Sequence, residues 1–235
     1  MASPTQWLRQ RYRPFWWVLF TLSGLPFINL IIDYYTGQLG ANPLQTLQHT
    51  TGRWALIFLL VTLTITPLRY IMRRLCVFMH THFGKRLEDW NWLVRLRRML
   101  GLYCFFYASL HMLVYVLLDL SLNWTWAIQD INEKPYIVLG VIAYLLLIPL
   151  AVTSLTKFFK LMGKKKWQGL HKMIYLINIL VIVHFWWQTK VGVYDYLPYL
   201  FVTIFLLGFR LFNWLGILRR HPRDDGMEAT PRDYL

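Results

Sequence analysis

The sequence predicts an all-α membrane protein, a bundle of six transmembrane helices with N- and C-termini cytoplasmic. Three observations predict it. Of 235 residues, 57% are hydrophobic and 17% aromatic, and only 15% are charged, too little charge for the solvated surface of a soluble domain of this length. Six apolar runs reach the roughly 20 residues that a helix rising about 1.5 Å per residue needs to cross a hydrocarbon core of about 30 Å. The Lys and Arg residues between those runs are abundant in alternate intervals, the pattern of a multi-pass chain obeying the positive-inside rule.

Along the chain, Arg9, Arg11 and Arg13 lead into the first run, Pro14 to Tyr35. This start resembles a signal peptide, but no small-residue cleavage site follows and the run is long, so it reads as a retained helix. The second run is Thr51 to Tyr70, the third Met99 to Leu120, the fourth Tyr136 to Thr156, the fifth His171 to Gln188 and the sixth Tyr196 to Leu215. Basic residues collect before the first run, between Arg69 and Arg98, between Lys157 and Lys172, and from Arg210 onward. Only Arg53, Lys134 and Lys190 of the 25 fall elsewhere. All four basic segments agree, so they are placed in the cytoplasm.

The opposite face receives loops at Thr36 to Thr50, Ser121 to Pro135 and Thr189 to Asp195, with Trp124, Trp126, Trp186 and Trp187 as interfacial anchors. The chain divides into a cytoplasmic segment over 1–13, the six-helix domain over 14–216 and a polar tail over 217–235, read as disordered. Cys76 to Asn91 (CVFMHTHFGKRLEDWN) is a polar and aromatic insertion on the cytoplasmic side, read as an amphipathic turn or two at the interface.

Several function classes drop out. The net charge of +14 lies in short blocks between apolar runs, which is loop marking and not a nucleic-acid face. Cys76 and Cys104 have neither disulfide-framework nor zinc-knuckle spacing. No GxGxxG follows a strand, so no nicotinamide site is expected and any reductant arrives through a separate donor.

An ionisable group at membrane depth is costly and therefore a functional candidate. His111, His171 and His184 qualify. His111 lies 13 residues beyond Arg98 and His184 lies 12 beyond Lys172, so each stands about 18–20 Å above the cytoplasmic charges. Two histidines at one level on helices running the same way can clamp one heme iron from opposite sides, an arrangement suited to electron transfer because it leaves no open position. Zinc or copper would want further ligands. His171 lies about 20 Å below His184, a depth for a second heme or a flavin. Thirteen steps of about 100° give some 220°, so an ideal helix cannot put both on one face, and a distorted start to helix five or a different role is required. At that level helix three offers Arg97 and Arg98, suited to a propionate, a flavin phosphate or anionic lipid. His49 reads as a propionate partner or a structural residue. His80, His82 and His221 read as solvated.

Four stretches carry a resemblance: LGANPLQTLQHTTGRWAL (39–56), ITPLRY (65–70), RRMLGLYCFFYASLHMLVY (97–115) and GKKKWQGLHKMIYLINILVIVHFWW (163–187). The chain resembles the MsrQ (YedZ) family, heme-binding membrane subunits of the periplasmic methionine sulfoxide reductase system, within the ferric-reductase-like transmembrane superfamily. The resemblance implies heme-iron ligands at His111, His184 and His171. It also implies one or two b-type hemes with FMN as a further candidate, and a multi-pass place in the bacterial inner membrane. Electrons would come from quinol or a cytosolic flavin reductase and pass to a periplasmic molybdopterin subunit, MsrP, which reduces methionine sulfoxide in envelope proteins. The wider superfamily has a fourth histidine low on helix three, where this chain has Arg97 and Arg98. No catalytic residue is assigned to this chain, since reduction of the sulfoxide occurs on the partner. Two other readings stay open: a transmembrane ferric or oxygen reductase acting on a small acceptor, and a non-redox transporter.

Overall fold

The computed structural model describes residues 12–82, 84–188 and 193–215. The expected 1–13 segment, apart from its last two residues, and the 217–235 tail lie outside them. All regular structure among the described residues is helical, and six helices are long and apolar enough to cross a membrane. In chain order the helices are α1 (Tyr12–Tyr35), α2 (Pro43–Phe78), α3 (Asn91–Leu113), α4 (Trp124–Glu133), α5 (Pro135–Thr153), α6 (Thr156–Met162), α7 (Lys164–His171), α8 (Met173–Gln188) and α9 (Val193–Trp214). A 3₁₀ turn, Leu87–Trp90, precedes α3, and a π-helical segment, Val114–Asp119, continues it.

The bundle is built from two close helix pairs, α2 with α3 and α5 with α8. Contacts between α3 and α5 and between α2 and α8 join the pairs; α9 bridges α2 and α8, and α1 lies along α2 and α3. On α2 the buried residues Leu56, Leu59, Leu60 and Leu63 recur at helical spacing and meet Leu96, Leu100, Cys104 and Tyr107 of α3. Ala143, Leu147 and Leu150 of α5 and Ile177 and Ile182 of α8 complete the core. Lipid is as apolar as leucine, so close side-chain packing and interhelical hydrogen bonds hold such helices together. The outer surface is correspondingly apolar, with Trp17, Val18, Ile28, Leu145, Phe201 and Phe205 all exposed. Trp124, Trp126, Trp186 and Trp187 also project outward, as membrane-interface anchors do.

Three elements differ from the sequence expectation. The second membrane helix is much longer than 51–70. Asn42 accepts a hydrogen bond from the Gln45 amide and Pro43 occupies the first turn, so the helix starts in the polar loop. It ends near His80, whose φ is +50°. The loops expected at Ser121–Pro135 and Lys157–Lys172 contain α4, α6 and α7, too short to show as apolar runs. Gly163 separates α6 from α7 at φ +77°, a conformation that favours glycine. The fifth membrane run is not one helix from His171. It breaks at Lys172, where the Lys172 and Tyr175 amides bond three residues back to Gly169 and Lys172, tighter than the α-helical four. The start of the fifth run is thus distorted, one of the two alternatives that the His171–His184 spacing left open.

Proline supplies the other irregularities. Pro67 lies inside α2 and lacks the N–H that would bond the carbonyl of Leu63. Arg210 Nη2 of α9 donates to that carbonyl at 2.9 Å. Around Pro26 in α1, the Tyr107 hydroxyl of α3 donates to the Ser23 carbonyl at 2.9 Å and accepts from the Phe27 amide at 3.2 Å. A side chain inserted into a helical ladder is one recognised cause of a kink. In each case a neighbouring helix satisfies backbone groups that lipid cannot.

Candidate functional site

His111 on α3 and His184 on α8 face one another across the space between the two helix pairs. Their ring centroids are 6.3 Å apart and the ring planes stand at 82°. Each ring is tied to the partner helix of its own pair. His111 Nδ1 lies 3.0 Å from the Gln48 carbonyl oxygen on α2, and His184 Nδ1 lies 2.6 Å from that of Tyr136 on α5. A carbonyl can only accept, so in both rings Nδ1 carries the proton and Nε2 carries the lone pair. The Thr51 hydroxyl, 3.4 Å from His111 Nδ1, directs its own proton to the Leu47 carbonyl at 2.7 Å and does not alter this assignment.

This donor set fits a metal that supplies its own equatorial ligands. With metal–nitrogen bonds of about 2.0–2.1 Å and about 1.1 Å from ring nitrogen to centroid, two imidazoles sharing one metal have centroids about 6.3 Å apart. The observed 6.3 Å equals that separation when both Nε2 atoms lie on the line between the rings. A histidine ligand ordinarily gives its other N–H to a carbonyl or carboxylate, which fixes tautomer and ring orientation and raises ligand basicity; both rings have that second bond. Among the described residues no group of three His, Cys, Asp or Glu could hold a metal, so a bare zinc or copper ion would have only two ligands here. Tyr136 lies 5.9 Å from the His184 ring, and one turn before His111 the Tyr107 ring stacks on Phe58 at 5.4 Å and 7°. The π-helical turn begins three residues after His111, and such turns occur frequently at functional sites.

The other candidates sit elsewhere. His171 ends α7, stacked on Trp167 at 4.0 Å, with Nδ1 donating to the Trp167 carbonyl at 3.0 Å. The Leu150 carbonyl also lies beside this ring, and the buried Nε2 makes no close, well-aligned hydrogen bond. Trp167 Nε1 donates to the Thr153 carbonyl at 3.0 Å and so pins this helix to the end of α5. Arg97 points into the bundle, donating to Thr66 Oγ1 at 2.8 Å. Arg98, one residue and about 100° further round the helix, turns instead to Thr156 Oγ1 at 3.2 Å. The structure thus separates the two arginines that the sequence grouped. His49 follows Gln48 in α2 and is partly exposed.

Sequence reasoning missed five residues. Gly52 and Gly140 lie against the His111 and His184 rings. Tyr107 and Arg210 repair proline-broken helices, and Arg210 also reaches the Tyr175 hydroxyl. Asn178 is fully buried, with neither amide atom hydrogen-bonded. Only Arg210 and Asn178 carried a signal, as polar groups in apolar runs.

Residues 51–182 match the family described as ferric reductase like transmembrane component. The protein-methionine-sulfoxide reductase heme-binding subunit MsrQ of Herminiimonas arsenicoxydans is 43% identical over 188 residues, covering 80% of this chain and 78% of that protein. The MsrQ subunit of Ralstonia nicotianae is 39% identical over 199 residues, covering 83% and 84%. That of Xanthomonas euvesicatoria is 41% identical over 195 residues, covering 83% and 82%. The chain is therefore a multi-pass membrane protein of the ferric-reductase-like transmembrane family and, within it, belongs to the MsrQ family, with a role in transmembrane electron transfer.

Proposed function

We propose that this chain binds b-type heme between His111 and His184 and passes electrons across the bacterial inner membrane to a periplasmic MsrP-type molybdopterin reductase that repairs oxidised methionine. The observation that carries the reading is the opposed histidine pair, 6.3 Å between centroids with both Nδ1 protons committed to carbonyls. The heme names of the relatives support it. Bound heme would supply a one-electron couple. The chain's own residues do the rest. The Nε2 atoms of His111 and His184 are the two donors that would hold the iron, which would leave small molecules no open coordination site.

The Lys and Arg distribution supports an orientation with the α2–α3 and α5–α8 connections and both termini in the cytoplasm. His184 then lies four residues, about 6 Å of helix, from the outer end of α8 at Gln188, on the side where a periplasmic acceptor docks. Electrons enter at the basic end. His171 is the residue that would hold a second redox group there, and Arg97 would take the anionic part of a propionate or of FMN. Arg98 faces away from that interior, and His49 serves the outer end of α2.

The test is stopped-flow reduction of the purified protein by a reduced quinol and, separately, by a flavin reductase with NAD(P)H, followed by addition of the molybdopterin partner. Heme reduction by one donor and reoxidation by the partner supports the conduit. Rapid reoxidation by ferric chelate or oxygen alone would favour the small-acceptor reductase.

A further inference from the structure

The two histidines are held by one device used twice. His111 donates to the carbonyl of Gln48, and the residue four further along α2 is Gly52. His184 donates to the carbonyl of Tyr136, and the residue four further along α5 is Gly140. Within each close helix pair one helix supplies the histidine, and the other supplies a carbonyl followed four residues later by glycine.

That spacing has a physical meaning. In an α-helix the carbonyl of residue i accepts the amide of i+4, and the side chain of i+4 leans back over the same carbonyl. This chain shows how close it comes. The hydroxyls of Thr51, Thr62, Thr64 and Thr153 each reach the carbonyl four residues back, at 2.6–2.8 Å. A carbonyl already bonded within its helix can take a second donor from another helix only where that flank is clear. At the two latch positions the flank under residue i+4 is clear because no Cβ exists there, and the Thr51 hydroxyl reaches the Gln48 carbonyl from the i+3 side at 3.2 Å. A Cβ at position 52 would stand 3.0 Å from His111 Cε1 and 3.1 Å from Nδ1, and one at 140 would stand 2.9 Å from both Cε1 and Nδ1 of His184. Gly101, Gly169 and Gly208, also in helices, have nothing within 4 Å of the corresponding point. Glycine weakens a helix interior, and at 52 and 140 the missing methyl is occupied by an imidazole edge.

We propose that Gly52 and Gly140 are positioning residues that open the Gln48 and Tyr136 carbonyls to the histidine rings, fixing the Nδ1-protonated tautomer and the direction of each Nε2. Their effect on a bound iron runs through the histidines. A ring that donates strongly through Nδ1 is the more basic ligand, which favours the ferric form and lowers the potential. Of the two bonds that of His184 is the shorter, 2.6 Å against 3.0 Å. This inference rests on the heme reading of the His111–His184 pair.

The experiment substitutes Gly52→Ala and Gly140→Ala in the full-length protein, with Gly101→Ala and Gly208→Ala as controls. Heme per chain, midpoint potential by spectroelectrochemical titration and ferric EPR are read on monodisperse protein. The expected result is a several-fold loss of heme in Gly140→Ala, with a positive potential shift and altered g-values in the heme that remains. Gly52→Ala, with its slightly longer contact, should keep more heme but show the same direction of shift, while the controls match wild type. If Gly140→Ala fails to fold, Gly52→Ala carries the test through potential and g-values. Wild-type potential and g-values in the folded latch variants would overturn the inference, as would equal shifts in the controls. A wild-type protein without heme would instead overturn the reading on which it rests.

Discussion

Arg210 is placed to replace a hydrogen bond that Pro67 removes, and this makes a quantitative claim. In Arg210→Met the Leu63 carbonyl, now receiving Nη2 at 2.9 Å, would be left without a donor, because residue 67 has no N–H to give. An orphaned buried carbonyl costs about 1–3 kcal/mol. Loss of the contact to the Tyr175 hydroxyl adds to this, while removing a guanidinium near Arg97 gives some back. Interhelical hydrogen bonds in membrane proteins average about 0.6 kcal/mol with a maximum near 1.7, so a net cost of about 1–2 kcal/mol is expected. The decisive variant is Pro67→Ala. It restores an amide four residues after Leu63, so the carbonyl no longer needs Arg210. A double-mutant cycle measured by reversible unfolding in mixed micelles should give a coupling of about 1 kcal/mol, Arg210→Met being less harmful in the Pro67→Ala background. A coupling within about 0.3–0.5 kcal/mol of zero, the scatter of independent sites, would refute the reasoning and leave Arg210 as a charge held there for another purpose.

The remaining predictions are narrower. Tyr107→Phe strips two backbone groups of α1 of a shared partner, whereas Tyr103→Phe removes only a donor to the Phe20 carbonyl. Hydrogen exchange at Phe27 should therefore quicken by roughly tenfold or more in the first variant, for about 1.4 kcal/mol or more lost, and little in the second. The 82° between the imidazole planes would leave the d-orbitals of an iron held by both rings nearly degenerate. The ferric protein should accordingly give a strongly anisotropic low-spin EPR signal with one resolved low-field feature, and a rhombic spectrum would mean that the rings turn when the iron is bound. At the opposite face, the Asp130 carboxylate holds the Lys134 ammonium at 2.6 Å and raises its pKa above the ordinary 10.5. A raised folded pKa stabilises fully below the unfolded value and is lost as pH rises through the folded one, so Trp124 and Trp126 fluorescence should be flat from pH 6 to about 9 and change only beyond about 10.5. Lys134 is substantially exposed, so Lys134→Met should cost under about 1 kcal/mol.

The features that could be read from sequence are those that the bilayer imposes locally. Apolar run length gave six spans, and helical rise gave His111 and His184 a common level; their rings meet. The mismatch of thirteen residues with 3.6 per turn called for either a distorted helix start or a different role for His171, and the chain does break at Lys172. What stayed hidden depends on contacts between residues far apart in the chain. The carbonyls that orient the histidines belong to Gln48 and Tyr136, 63 and 48 positions away. The donors that repair Pro26 and Pro67 come from helices many residues away. Glycines 52 and 140 look in sequence like any helical glycine. Arg97 and Arg98 are neighbours in a string, but a 100° step sends one inward to Thr66 and the other to Thr156. Helices α4, α6 and α7 escaped because amphipathic segments of seven to ten residues are shorter than the window that finds a membrane span.

The measurement closest to the central claim is the reduced-minus-oxidised spectrum with heme quantification, for wild type, His111→Ala, His184→Ala and His171→Ala expressed with ample heme. A low-spin b-type spectrum is expected in wild type and should collapse in the His111 and His184 variants. In His171→Ala the signal from the His111–His184 pair should persist, any loss there being confined to a second redox group at the basic end. A heme-free wild type, or a full low-spin spectrum in His111→Ala and His184→Ala, would contradict that claim.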